Sequence, residues 1–203
     1  MPDNFRVQEI SMDKIKAMIA TLEGEIAGLF DNNKCGHDMG HLWRTLDFAL
    51  KLQDAEGGDR EVIAVSAFIH DIHRIMEKET GKFVAPRESL PVIRKLIAPL
   101  PLTDAQKEHI CHAIEHHEKL NFGRDRVTIN DIESLVLQDA DNLDGIGPHA
   151  VDRCVRYGKQ YGRPVYDPSV PFYQKDDWAQ GDFNDASSVH HMHNIVRAID
   201  VLQ

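Results

Sequence analysis

The sequence predicts an all-α protein. Apolar residues recur at intervals of three and four through most of the 203 residues, and Ser, Thr and Asp stand where the apolar segments begin. No segment alternates convincingly between polar and apolar residues, so at most a short hairpin is expected, near Tyr161 to Tyr173. The length allows one sizeable core, and we expect residues 1–203 to form a single domain.

Three helices are predicted in the first part of the chain. The first begins at Ser11, which can cap it. Its apolar positions keep helical spacing: Met12, Ile15, Ile19, Leu22, Ile26 and Leu29. The second runs from about Asp38 to Asp54 and ends at the turn EGGD. The third runs from about Arg60 to Met76 and contains the apolar stretch EVIAVSAFI.

Further helices are predicted from about Glu88 to Ala98 and from Asp104 to Lys119. Thr103 can cap the second of these, with Gln106 at the capping-box position. The last predicted helix, in SSVHHMHNIVRAIDVLQ, is capped by Ser187 or Ser188.

A long segment without helical periodicity, residues 162–188, precedes that last helix. Such a segment is either a lid whose aromatic residues stack on a base or a surface loop, and the two readings are equally favoured. The aromatic residues concerned are Tyr166, Phe172, Tyr173 and Trp178.

Charge and cysteine content limit the partners and the compartment. With 23 basic and 33 acidic residues the net charge is −10, which argues against binding long nucleic acids. A small phosphorylated substrate remains compatible, and about two of five nearby cations are expected to contact it: Arg44, Arg74, Lys119, Arg124 and Arg126.

The cysteines and the first residues predict a cytoplasmic protein that does not enter a membrane. MPDNFRVQEI has no signal-peptide pattern, and no apolar run reaches the length of a membrane span. Cys35, Cys111 and Cys154 are scattered without CxxC spacing, which favours a reducing compartment and argues against a thiolate zinc site.

A metal site is predicted at the end of the most apolar stretch, where His70 precedes Asp71. A charged Asp against an apolar background needs a partner. Neighbouring residues on a straight helix point about 100° apart, so a helix end or a kink would be needed to turn both side chains inward. His41 and Asp141 could complete a divalent-metal site; a surface hydrogen bond is the alternative for an isolated His-Asp pair.

Three motifs resemble those of the HD-domain metal-dependent phosphohydrolases. HDMGHLWRTLDFALKL is similar to the first motif, SAFIHDIHR to the second and LVLQDADNLDGIG to the last, in order over about residues 35–166. The likeness is greatest to the small stand-alone branch that includes bacterial nucleotide pyrophosphatases. It implies an HD-type helical bundle.

The resemblance implies that His41, His70, Asp71 and Asp141 bind one divalent metal ion. Asp139 and Asp144 are expected to support these ligands or to cap helices. Imidazole and carboxylate ligands suit Mn, Fe, Ni, Zn or Co, and Mg is also admitted.

A second metal ion is a further option, because the HHE segment resembles a feature of two-metal HD enzymes. His109, His112 and His116 form a stripe on one helical face, and His116, with His112 behind it, is the candidate ligand. Alternatively these histidines border the pocket or face solvent. One metal is the usual expectation for the small branch.

The expected function is hydrolysis of a phosphoester or phosphoanhydride, of a nucleotide, by a metal-activated water. Arg44 is the first choice for offsetting charge on the phosphoryl oxygens. His37, His112 and His116 are candidates for the leaving-group acid, and His37 could instead orient the site from one turn before His41. Some nucleotidases of the superfamily carry a catalytic glutamate where this chain has Arg74, so that mechanism is not expected.

Two other functions are compatible with the same scaffold. A di-iron oxygenase would use the extra histidines as iron ligands. A non-catalytic ligand-binding module would keep the fold, although the full ligand set speaks against it. A homodimer would be unsurprising.

Overall fold

The computed structural model describes residues 3–30, 37–118, 129–160, 162–172 and 186–199. Over these ranges the chain forms nine helices and no strand, which confirms the all-α prediction. The helices are α1 (Asp3–Phe30), α2 (Met39–Glu56), α3 (Arg60–Ile69), α4 (Ile72–Thr80), α5 (Pro86–Ile97), α6 (Asp104–His116), α7 (Ile132–Asp144), α8 (Pro148–Gln160) and α9 (Ser188–Ile199).

Helix α3 lies at the centre of the bundle because its sequence is almost entirely apolar. Eight of its ten residues are buried, and it packs against α1, α2, α6 and α7. Its side chains join one core with residues such as Leu22, Leu42 and Ile114, all fully buried. Burial of a large aliphatic side chain contributes about 1.5–3 kcal/mol. The core therefore fixes the position of the residues at the end of α3.

Polar caps begin several helices as the sequence predicts. Asp38 accepts a hydrogen bond from the backbone N–H of His41 at 2.9 Å, at the start of α2. The capping box of Thr103 and Gln106 is present at α6. Ser187, and not Ser188, caps α9, because its Oγ accepts from the N–H of His190 at 3.2 Å.

The predicted continuous helix from Arg60 to Met76 is interrupted at the His-Asp pair. α3 ends at Ile69, and Asp71, with φ −90° and ψ 15°, begins α4. The change of direction turns both side chains toward one space, with His70 Nε2 3.6 Å from Asp71 Oδ1. The chain therefore has the helix end that the predicted metal site requires.

Other helix boundaries differ from the sequence expectation. α1 starts at Asp3, eight residues before the expected cap at Ser11, because no glycine or proline in that stretch interrupts the helix. α4 continues through EKET until Gly81, whose φ of 66° ends it. The last motif was not assigned a helix, yet it lies on α7.

The expected hairpin is absent from the described residues 162–172, which form turns. The remaining residues of the long segment that carry expectations, Tyr173 and Trp178, lie outside the described residues, as do Cys35, Lys119, Arg124 and Arg126. In the described part of the chain, no helix combines the length and apolar character that crossing a membrane requires.

Candidate metal centre

Four side chains from three distant segments meet in the interior. α2 provides His41, the junction of α3 and α4 provides His70 and Asp71, and α7 provides Asp141. His41 Nε2 lies 3.3 Å from His70 Nε2, 3.2 Å from Asp71 Oδ2 and 3.4 Å from Asp141 Oδ1. His70 Nε2 lies 3.7 Å from Asp141 Oδ1. The ligand atoms of His41, His70 and Asp141 lie within 4.8 Å of one another, and Asp71 approaches both histidines of this group.

Both imidazole rings present an unprotonated Nε2 to this group when the rings are neutral. His41 Nδ1 donates to Asp144 Oδ2 at 2.7 Å, and His70 Nδ1 donates to the carbonyl oxygen of Ala67 at 2.9 Å. Because carboxylates and carbonyls accept, the Nδ1 atoms carry the protons. Arg153 Nη1 lies 2.9 Å from His41 Nδ1 and donates to Asp144 Oδ2. The hydrogen bonds therefore select the tautomer that a metal ligand needs.

The centre carries excess negative charge. Burial opposes protonation of His70, but the carboxylates of Asp71 and Asp141 outweigh it and raise its pKa to about 9. Burial also lowers the pKa of His41, but the hydrogen bonds to Asp144 and Asp71 outweigh burial, so the pKa of His41 is raised. The pKa of Asp141 is well below its usual value because the two histidines offset its burial. The centre therefore attracts a cation, either protons or a metal ion.

The distances fit a divalent ion. Metal bonds of about 2.0–2.2 Å to nitrogen and oxygen separate neighbouring ligand atoms by roughly 3.0–3.5 Å, depending on the coordination geometry. The three separations from His41 Nε2, 3.2–3.4 Å, fall in this range, and the two from His70 Nε2 to the carboxylates, 3.6 and 3.7 Å, lie slightly above it. Two imidazoles and two carboxylates also suit first-row divalent ions better than thiolate-seeking ones.

Asp144 orients His41 through a hydrogen bond, and two arginines bind the carboxylate of Asp144. Arg44 Nε donates to Asp144 Oδ1 at 2.5 Å, and Arg153 Nη1 donates to Asp144 Oδ2 at 3.0 Å. Arg44 is thereby turned to Asp144, and it is absent from the cavity wall described below. Of the two aspartates expected to support the ligands, Asp144 is the one that contacts a histidine of the centre.

His37 contacts the centre through Asp71. Its Nδ1 donates to Asp71 Oδ2 at 2.6 Å. Burial lowers the pKa of His37 despite the neighbouring carboxylate, which favours the neutral ring. Through this contact with Asp71, His37 would exert the orienting role that the sequence predicts for it.

A cavity of about 190 Å³ opens beside the four groups. Two cations, Arg74 and Arg153, contribute to its wall. Arg74 donates to Glu77 at 3.0 Å and to Glu118, and it lies 4.0 Å from Asp71 Oδ1. The remaining lining residues are His37, Asp71, Glu118, Asp141, Asn142, Gly145, Cys154 and His191.

His112 and His116 are not brought to the centre. His112 is half exposed and its Nε2 lies 3.2 Å from Asp131. His116 Nδ1 donates to the carbonyl of His112 at 2.8 Å. The stripe that contains both faces outward, because Ile110, Ala113 and Ile114 occupy the buried face of α6.

The histidine from this part of the chain that does approach the centre is His117, which caps the C-terminal end of α6. It follows Ile110, Ala113 and Ile114 at seven, four and three residues, so it continues the buried face. Its ring centroid lies 5.2 Å from that of His70. Burial lowers its pKa to about 4, and its Nε2 has no hydrogen-bond partner among the described residues.

Sequence reasoning missed His117 and Arg153. The spacing of the apolar residues before His117 could have indicated that its side chain is buried. Arg153 follows the last motif on α8, and no motif or capping pattern marks it.

The family model of the HD domain matches residues 39–146, which is more than half of the chain and includes all four groups of the centre. The chain belongs to the HD-domain family. This match confirms the family resemblance and the HD-type helical bundle.

Among curated proteins, the chain is similar to the uncharacterized protein YpgQ of Bacillus subtilis, with 23% identity over 145 residues. The aligned region covers 70% of this chain and 66% of YpgQ, slightly less than two thirds of that protein. The crystal structure of YpgQ in complex with ADP has a TM-score of 0.65 at 20% identity, covering 94% of this chain and 83% of YpgQ.

Two other solved structures have the same fold. A Lactobacillus plantarum protein has a TM-score of 0.71 at 18% identity, with 92% of this chain and 84% of that chain covered. An HD-superfamily hydrolase of Bacillus thuringiensis has a TM-score of 0.61 at 23% identity, with 95% and 84% covered. At these identities the similarity concerns the fold.

Proposed function

We propose that this protein is a metal-dependent phosphohydrolase that cleaves a phosphoester or phosphoanhydride bond of a nucleotide. The observation that carries the proposal is the convergence of His41, His70, Asp71 and Asp141 beside a cavity whose wall contains two arginines. The ligand atoms favour a divalent cation, and the arginines favour an anionic group. A phosphoryl group between them would satisfy both.

The four converging groups would hold one divalent cation through His41 Nε2, His70 Nε2 and an oxygen of each aspartate. Bound there, the ion would supply Lewis acidity toward a phosphoryl oxygen and would lower the pKa of water toward neutrality. His37 would keep Asp71 in place, and Asp144 would do the same for His41. The side chains are thus ordered before substrate arrives.

The arginines would orient the anionic end of the substrate. Arg74 and Arg153 both lie at the cavity wall, and guanidinium groups bind phosphoryl oxygens through paired N–H donors. Their fixed positive charge would also offset the charge that grows on those oxygens during transfer. Arg44 does not line the cavity, so it would act through Asp144 and His41 instead.

Of the predicted acid set, His37 is the member at the cavity wall. Burial lowers its pKa and its Nδ1 proton is donated to Asp71, so its ring would be neutral and would act by orienting Asp71 or by accepting a proton at Nε2. His112 and His116 are engaged on the outer face of α6.

A nucleotide is favoured as substrate by the ADP that the B. subtilis protein YpgQ binds. The cavity of about 190 Å³ is smaller than the 300–1,000 Å³ typical of sites that enclose a drug-sized ligand. It would therefore receive the phosphoryl end, and the rest of the molecule would extend from it.

Phosphate release against a panel of nucleoside triphosphates, nucleoside monophosphates and cyclic dinucleotides, with Mn²⁺, Mg²⁺, Zn²⁺, Ni²⁺, Co²⁺ and Fe²⁺, tests the proposal. Release from at least one class is expected, and chelation should abolish it. No release from any substrate with any metal would contradict the proposal. Iron analysis and oxygen uptake, run in parallel, would reveal the di-iron oxygenase instead.

A further inference from the structure

The outward stripe of α6 meets the start of α7 in a second cluster of histidines and carboxylates. His109 Nε2 lies 3.0 Å from Asp131 Oδ1 and 3.5 Å from Glu133 Oε2. His112 Nε2 lies 3.2 Å from the other oxygen of Asp131. The four side chains come from two helices that are joined by a connection outside the described residues, 119–128.

The carboxylates of this cluster are held in place by the backbone. Asp131 caps α7, and its Oδ1 accepts from the N–H of Ser134 at 2.9 Å. Glu133 Oε1 accepts from the N–H of Asp59 at 2.7 Å, which leaves Oε2 toward His109. Two fixed carboxylates thus face two imidazoles before any ion binds.

The charge of the cluster is not balanced by a lysine or arginine. Among the described residues, no Lys or Arg nitrogen lies within 4.0 Å of the carboxylates of Asp131 or Glu133. Asp144 and Glu118, by contrast, both contact arginines. The two carboxylates carry a charge of −2, which a divalent cation would neutralise.

We propose that His109, Asp131 and Glu133, whose ligand atoms lie within 4.8 Å of one another, form a second, structural site for zinc or a similar first-row divalent ion, away from the HD centre, with His112 beside Asp131 as a further ligand. The separations of 3.0–3.5 Å are those of neighbouring ligands around an ion with bonds of about 2.0–2.2 Å. The imidazole ligands favour such ions over Ca²⁺ and Mg²⁺. Ten residues of α7 separate Asp131 from Asp141, which is roughly 15 Å along the helix.

An ion at this site would fasten α6 to the beginning of α7. α6 leads to His117, and α7 carries Asp141 and Asp144, so the link would join the two helices that approach the HD centre from this side. The side chains of His109 and His112 are 32% and 49% exposed, so an ion can reach them from solvent. Its binding would stabilise the folded chain by mass action.

Titration of the full chain with ZnCl₂, followed by calorimetry and elemental analysis, tests the proposal. The double variant His109→Gln and His112→Gln should bind one equivalent fewer than the wild type, or bind that equivalent at least about 100-fold more weakly. The glutamine amides can still donate to Asp131, so the hydrogen bonds can persist without the metal. His116→Gln, on the same helix, should keep the wild-type stoichiometry.

A second measurement separates this site from the HD centre. His70→Ala should lose the zinc of the HD centre and keep the equivalent assigned to the second site, together with a zinc-dependent rise of the melting temperature. Adding His109→Gln and His112→Gln to that variant should abolish the rise. Equal zinc stoichiometry and affinity in the wild type and the double variant would overturn the proposal, since the cluster would then be hydrogen bonds alone.

Discussion

The carboxylate of Asp144 accepts a hydrogen bond from Nδ1 of His41 at 2.7 Å, on the side of the ring opposite the other converging groups. The same carboxylate receives Arg44 and Arg153. Its pKa is held well below the usual value because the hydrogen bonds from His41 and Arg44 outweigh burial. Asp144 therefore remains an acceptor through the physiological pH range and keeps His41 in the ligand tautomer.

Replacing Asp144 with asparagine should weaken metal binding about 10- to 100-fold, the range found for residues that orient metal-bound histidines. The uncharged amide would no longer stabilise the proton on His41 Nδ1. Calorimetric titration with Mn²⁺ measures the change. Asp139→Asn is the matched control, because Asp139 lies on the same helix and its carboxyl pKa is raised by burial and by Glu56. Equal losses in both variants would contradict the role of Asp144.

His70→Ala should remove metal retention and turnover together. Turnover should fall by more than about 100-fold. Replacing a residue that only supports a metal ligand lowers metal affinity or activity by up to about 100-fold, and His70→Ala removes a ligand itself. Mn²⁺ content and phosphate release on the same preparation measure both effects. His149→Gln, at an exposed position on α8, is the control. An active His70→Ala protein without metal would refute the assignment, and Asp71→Ala should behave in the same way.

Arg74→Gln should lower kcat/KM for the best phosphorylated substrate by about 100-fold, the order found when one preorganised donor to a developing oxyanion is removed. Mn²⁺ affinity should change much less. Arg74→Lys should recover part of the loss, because it restores the charge without the paired donors. Arg87→Gln, exposed on α5, serves as the control. Unchanged kinetics of Arg74→Gln would exclude Arg74 from the substrate site.

Metal binding at pH 7.5 should release about one proton or more per ion. The pKa of His70 is raised to about 9 in the metal-free protein, so its ring is protonated at pH 7.5 and must lose that proton to bind metal. Affinity should fall as the pH falls below 9. Calorimetric Mn²⁺ titrations in buffers of different ionisation enthalpy measure the released protons. A binding enthalpy that is the same in every buffer would contradict the raised pKa.

The fold class could be predicted from local patterns, and the set of converging side chains from the resemblance of three motifs to those of the HD-domain family. The spacing of apolar residues specifies α2 and α6, and the adjacency of His70 and Asp71 required a helix end, which the chain has. The position of Arg44 could not be predicted. Its pairing with Asp144, 100 residues away, depends on how α2 packs against α7.

The choice among the histidines of α6 also depends on packing, although the sequence contained a partial signal. His116 and His117 are adjacent, and a rotation of about 100° decides which one enters the interior. The apolar residues Ile110, Ala113 and Ile114 place His117 inward. Sequence motifs alone favoured His116 because they do not describe the direction in which a side chain points.

Anomalous diffraction from crystals grown with Mn²⁺ tests the central claim most directly. The account predicts a peak bonded at about 2.0–2.2 Å by His41, His70, Asp71 and Asp141. Metal-dependent turnover with no peak among these four residues would contradict it.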